Sequence, residues 1–357
     1  MMTNNRRRYR NSWVIPLIAV VVIWAVLFLI PVPYYLMLPG SALDVHPMVT
    51  VHPKPSGSEK GHFYLTTVAM RKGNIFGWLA AKVDSTYELI PEKEVLGTGG
   101  NSEDYDRRQK EIMKESQQDA VLAAFHATSR PVKEKFLGVK VLSLIKNMPA
   151  EKVLHKGDLI KEVDGKPVQR AEELVAYLSG KKIGDKVSLA YTREGKPMND
   201  QVVLGSLPGT NGVHRPGLGI QPVTKREVKT NPVVKIEAGD IGGPSAGLMF
   251  SLEIANQLEQ TDLTQGYQVA GTGTITPDGK VGQIGGIQHK IVAADDEGAE
   301  IFFVPADQEV EDTNQKIARK TVQEIGSKMK LVPVHTLGEA LSYLKNLPGE
   351  KKGKKAA

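Results

Sequence analysis

The chain of 357 residues contains no cysteine. That excludes a disulfide scaffold, thiol catalysis and cysteine-ligated zinc. Its eight histidines show no H-E-x-x-H or other metal-ligand spacing, so neither metal nor other cofactor is expected. Low-complexity segments and internal repeats are also missing, and only one apolar run is long. A strong charge imbalance is lacking where it would matter. The formal net charge is +6, but Arg6, Arg7, Arg8 and Arg10 carry +4 of it and the 350–357 tail another +3, leaving −1 for everything between. A near-neutral folded part offers no electrostatic footprint for nucleic acid.

The one long apolar run is "WVIPLIAVVVIWAVLFLI", 18 uncharged residues from Trp13 to Ile30. That length meets the lower limit for crossing a bilayer, and Trp13 and Tyr34–Tyr35 suit the two interfaces. The preceding basic tail, 1–12, predicts a cytoplasmic N-terminus. A cleaved signal peptide is the rival reading, but the sequence "PVPYYLML" lacks the small residues of a cleavage site. The expectation is a single-pass cell-membrane anchor with the rest of the chain outside the cytoplasm. The basic tail 347–357 reads as a solvated end.

Beyond the anchor, "MVTVH" and "HFYLTTVAM" read as strands, and residues 103–127 read as a helix free of Gly and Pro. Residues 130–207 form a compact unit. It runs strand (136–145), short helix, strand–Asp-Gly turn–strand (159–168), helix (171–180) and hairpin (185–198). After the turn-rich 204–212, the remainder to 346 alternates strand and helix. That includes a strand at 233–238 and helices at 244–260, 285–299 and 337–347, which argues for an α/β layer.

Chemistry concentrates at "EAGDIGGPSAG", 237–247, where Ser245 stands among Gly242, Gly243, Pro244, Ala246 and Gly247. Small neighbours let a backbone approach a ligand closely. One reading is a Ser–Lys dyad. A serine needs a base, and lysine serves only when neutral, which burial on an apolar face favours. Lys290, flanked by Ile287, Ile291, Val292 and Ala293 behind Gly285–Gly286, has such a setting. A second reading is an α/β-hydrolase, since 243–247 satisfies G-x-S-x-G and His335, with Asp296 or Asp312, follows in the required order. The interrupted strands and the missing HGGG-type motif weigh against it. A third, a phosphate loop at "GTITPDGKV", fails the P-loop pattern at Thr274 and Val281. Taken alone, Ser245 is also compatible with a glycine-rich helix cap.

Two resemblances narrow these readings. "LGVKVLSLIKNMPAEKVLHKGDLIKEVDGKPV" and the helix after it resemble a PDZ domain. The resemblance implies that Phe136, Leu137, Gly138 and Val139 present backbone amides to a peptide's C-terminal carboxylate. "GPSAG" and "GTGTITPDGKVGQIGGIQHKIVAA" resemble the proteolytic domain of the Lon family, in the membrane-anchored, ATPase-free form that carries a PDZ module. Bacterial pheromone-processing proteases are of this form. It implies Ser245 as nucleophile, Lys290 as base, and Thr272 as a hydrogen-bond partner of the lysine. Where the family motif has a first lysine and a glutamate, this chain has Gln288 and Thr274. Many members carry an acid three positions before the serine, where Gly242 stands. The Ser245 N–H and another from the loop at Gly242 and Gly243 would form the oxyanion hole.

"KEIMKESQQDAVLAAF" resembles the family's early helix, which predicts a PDZ domain at 130–207 inserted between two protease segments, 36–128 and 210–346. The resulting fold class is α/β, of α+β type, with a mostly β insert and one N-terminal transmembrane helix. The implied partners are a peptide or protein substrate and the membrane, with homo-oligomers common in the family. A catalytically idle scaffold that captures C-termini through the PDZ groove is the alternative function.

Overall fold

The computed structural model describes residues 13–53, 60–84, 86–97, 100–208, 213–259 and 262–348. The tail at 1–12 and residues 349–357 of the other tail lie outside them. One six-stranded sheet organises the chemistry. Its order is Lys330–Val334, Ile301–Pro305, Gln268–Gly271, His62–Asn74, Pro31–Asp44 and Glu88–Pro91. The first four run parallel, and the last two pairings are antiparallel.

The period-two rule explains how this sheet is covered on both faces. In the strand "IFFVP", Ile301 and Phe303 join one apolar cluster, with the helices Gly247–Glu259, Ser102–Ala127 and Leu337–Lys345. Phe302 and Val304 join another, with Ile287–Asp296 and Asn314–Glu324. All five residues of the strand are buried. The helix Gly247–Glu259 is buried almost all round, its polar Glu253 and Gln257 hydrogen-bonded to each other, so its apolar character is not confined to one stripe.

A second sheet holds the strands Ile220–Thr230, Val132–Leu144, Leu159–Val163, Lys186–Arg193 and Lys196–Val203 in that order. It has its own core, with Val139, Ile160, Leu174 and Leu189 at its centre. The chain thus leaves the first layer after the long Ser102–Ala127 helix and later returns to it. The boundary expected at 207–210 shifts. The strand Ile220–Thr230 pairs along the length of Val132–Leu144, so return to the first layer begins only with Val233–Ile236, which pairs with Val49–His52.

Pro31–Asp44 is a strand that the prolines at 31, 33 and 39 disguise. Pro39 sits at a register shift, where a ladder tolerates proline. This strand also changes the picture of the N-terminus. The apolar helix covers only Val14–Leu29, 16 residues and so about 24 Å, because Ile30 before Pro31 turns extended. Among the described residues no helix is long and apolar enough to cross a membrane. Tyr35, expected at a headgroup interface, is instead packed into the sheet, with its hydroxyl 3.0 Å from Ser102 Oγ.

Candidate active site

The Ser245 loop is braced from behind by the long helix. Gly242 is a glycine because a Cβ there would stand 2.7 Å from Gln109 Cβ, and Gly243 has a φ of +84°. The Gly243 N–H donates to the Gln109 carbonyl at 3.0 Å. Two turns further on, the buried Ser116 hydroxyl donates to the Pro244 carbonyl at 2.9 Å. Helix formation resumes at Gly247, where a Cβ would meet Ile275 Cγ2 at 2.6 Å. The serine is therefore fixed by its neighbours' lack of side chains.

Lys290 arrives from the opposite side. Its helix starts after Gly286, a left-handed residue with φ +68°, where a Cβ would stand 2.7 Å from Met37 Sδ. Close packing of that turn against the sheet carries the lysine inward until it is 3% exposed. Its Nζ lies 3.1 Å from Ser245 Oγ and donates to the Thr66 carbonyl at 2.5 Å. Burial alone pulls the ammonium down to about 8 from 10.5. No carboxylate among the described residues offsets that loss of solvent, so the neutral amine becomes accessible near neutral pH.

The hydroxyl of Thr272 does not reach the lysine. It donates to the Ser245 carbonyl at 3.0 Å, beside the Gly273 N–H at 2.9 Å. The threonine positions the serine's backbone, while the Thr66 carbonyl, on the strand "HFYLTTVAM", takes the lysine. A backbone acceptor has no sequence signature, so Thr66 escaped the sequence reading. The expected oxyanion donors also divide. Gly243 is committed to Gln109, while the N–H groups of Gly242 and Ser245 meet no acceptor among the described residues.

The other candidates fall away from the serine. His335 is half-exposed and bonded to Glu339 at 3.2 Å, and Asp312 caps the N–H groups of Gln308 and Glu309. "GTITPDGKV" is a hairpin in which Thr276 N–H donates to Lys280 O and Gly279 N–H to Thr276 O. Gln288 and His289 both turn to Glu88, at 2.6 and 3.2 Å. Burial lowers the histidine's pKa although Glu88 works the other way. Asp240, the acid nearest in sequence, points out to Lys110 at 2.8 Å. Ser245 and Lys290 share a cleft of about 1020 Å³ whose lining includes Met37, Leu43, Leu65, Met70 and Met113.

Phe136, Leu137, Gly138 and Val139 are strand residues, in keeping with the reading of 136–145. They lie inside the strand Val132–Leu144, with Ile220–Thr230 on one side and Leu159–Val163 on the other. Phe136 stacks under the Arg170 guanidinium at 4.4 Å. Gly138 has φ +124°, and a Cβ there would stand 2.5 Å from the Ile160 carbonyl. Lys161 donates to the Leu137 carbonyl.

Residues 227–346 match the family model of the Lon protease (S16) C-terminal proteolytic domain, and residues 111–204 match that of the PDZ domain. The chain is 32% identical over 101 residues to a Lon protease of Neorickettsia sennetsu, 28% of this chain and 11% of that one. It is 34% identical over 102 residues to one of Metamycoplasma arthritidis, 29% and 11% of the two chains. The chain thus spans about a ninth of the length of these relatives. The PDZ domain of an SdrC-like protein from Listeria monocytogenes is 36% identical, over 25% of this chain and 90% of that one, at a TM-score of 0.23. The two family matches give the chain a serine peptidase domain of the Lon type and a PDZ domain.

Proposed function

We propose that the chain is an endopeptidase in which Ser245 is the nucleophile and Lys290 the general base, acting without ATP on peptide segments that enter the cleft extended. The observation that carries this is the 3.1 Å approach of a dry, unpaired lysine to the serine hydroxyl. The neutral amine takes the hydroxyl proton as Oγ attacks the scissile carbonyl carbon. The oxyanion then faces the N–H groups of Ser245 and Gly242. As the C–N bond breaks, the lysine ammonium returns the proton to the leaving amine, and water releases the acyl group by the same route. ATP independence is supported by "GTITPDGKV" being a hairpin rather than a nucleotide cradle.

The chain is held at a membrane by its N-terminal helix, with the peptidase outside the cytoplasm. In support, none of that helix's residues is buried, and no charge occurs from Trp13 to Ile30. The arginines before it set the orientation. A segment of this length spans only where the bilayer thins around it.

The test is labelling of the full chain by a fluorophosphonate probe, together with cleavage of an unfolded protein in the presence and absence of ATP. Labelling that disappears in Ser245→Ala, and turnover indifferent to ATP, are expected. A folded chain that neither labels nor cleaves would return the idle scaffold to first place. Resistance to alkaline extraction from membranes, lost when residues 13–30 are deleted, tests the tether.

A further inference from the structure

A PDZ domain captures a peptide by adding it as a strand to an exposed sheet edge. The edge that would serve is Val132–Leu144, the strand holding the expected carboxylate-facing residues. Here that edge is not exposed. Ile220–Thr230 runs antiparallel along it from Ile220 opposite Leu144 to Thr230 opposite Val132, with two register shifts, near Gln221 and Lys225. The same segment touches the helix Ala171–Ser179 that borders the groove. The Thr224 hydroxyl accepts the Ala171 N–H at 3.0 Å, the first residue of that helix. The chain's own strand therefore takes the edge, beside the start of the helix, that a peptide would use.

We propose that Ile220–Thr230 is the resident ligand of the PDZ groove, bound in cis, and that an outside peptide engages the groove only by displacing it. Three features hold the segment in place besides the ladder. Ser143 Oγ reaches Gln221 Oε1 at 3.2 Å. Arg226, 5% exposed, pairs with Asp119 and, at 3.2 Å, with Glu134. Asp119 lies on the helix whose Gln109 and Ser116 brace the Ser245 loop. Past Thr230 the chain runs through Val233–Ile236 directly into that loop. Displacing the strand therefore pulls on the segment that carries the serine. A covalently tethered ligand competes at a high effective concentration, so a free peptide faces a large handicap.

The experiment uses the full chain and a fluorescein-labelled peptide, IQPVTKREVKT, copied from 220–230. Because the protein has no cysteine, Ser143→Cys with Gln221→Cys gives a single redox-controlled lock at a pair whose side chains already touch. Thr224→Ala with Arg226→Ala loosens the segment. The loosened protein is expected to bind the peptide at least tenfold more tightly than the wild type, and the oxidised lock not at all. Binding by the oxidised lock as tight as that of the loosened variant, or no binding by a folded loosened variant, overturns the proposal. Should the loosened variant not fold, amide exchange of the wild type decides. Protection of 220–230 as strong as that of 159–163 sustains the cis ligand, and exchange within seconds overturns it. Binding and exchange need no turnover, so they stand or fall separately from the Ser245–Lys290 chemistry.

Discussion

Two buried cations divide this molecule between them, and they are kept by opposite means. Lys290 is 3% exposed and has a hydroxyl and a carbonyl for company, while Arg226, at 5%, sits among Asp119 and Glu134. Removing solvent from a cation without an anion shifts its equilibrium toward the neutral form, and lysine can make that change where arginine cannot. The lysine is thereby available to take a proton. The arginine stays charged and serves as a bolt between the long helix and the second sheet, even with its Nε buried and unpartnered. Whether a carboxylate stands nearby separates a reactive site from a structural one.

Truncating each cation should break that contrast most plainly. Lys290→Ala, like Ser245→Ala, is expected to lower kcat/KM by about 10³-fold or more while leaving the fold intact, since dyad members act as a unit. Loss of only a few fold, measured on a peptide substrate, would remove the lysine from the chemistry. Arg226→Ala should do the reverse. It leaves Asp119 and Glu134 as uncompensated charges in a closed junction, at a cost of about 3–5 kcal/mol by denaturant unfolding. A change below about 1 kcal/mol would mean that water already reaches the junction.

The pH dependence sharpens the same comparison. With Lys290 at about 8 in the folded protein, activity should climb through pH 8 and level off above it. Stability carries the matching sign. The unfolded lysine, at 10.5, binds the proton that the folded one has lost, so stability rises between pH 8 and 10.5. Lys290→Met should lack that rise. An activity profile still steep above pH 10 would show the amine to be solvated.

Much of the site was legible in the residues because small side chains and a lysine on an apolar helix leave a mark in sequence. Ser245, Lys290 and the glycines at 242, 243 and 286 are readable for that reason, and so are the buried strand "IFFVP" and the long helix. What stayed hidden depends on backbone atoms and on long-range pairing. The Thr66 carbonyl has no side-chain signature, and Thr272 proved to bind the serine's carbonyl where the resemblance implied the lysine. Nothing local in "IQPVTKREVKT" announces that it pairs with a strand about eighty positions earlier. The N-terminal run illustrates the same limit. Composition counted 18 uncharged residues, but Pro31 ends the helix at Leu29 and draws Tyr35 into the sheet.

The smallest effect lies beside Arg226, where Glu115 tests how fully the bolt is compensated. Burial first, and then the neighbouring Asp119, push Glu115 up to about 7, against Arg226 and a Thr224 backbone hydrogen bond. Asp119 is itself raised to about 6 by burial, with Glu134 and Glu172 adding to it and Arg226 opposing. A folded carboxyl at about 7 against 4.5 unfolded means that the native state holds the extra proton. Stability therefore falls as pH rises from 4.5 to 7 and stays low above that. Glu115→Gln removes the ionisation and should raise Tm at pH 8 by about 2–4 °C, since solvent at this half-buried carboxyl screens the full value of about 3 kcal/mol down to roughly 1. At pH 5, where the wild-type carboxyl is already protonated, the two proteins should melt together. An equal Tm difference at both pH values would mean that the side chain acts through packing, and that Arg226 already balances the carboxylates around it.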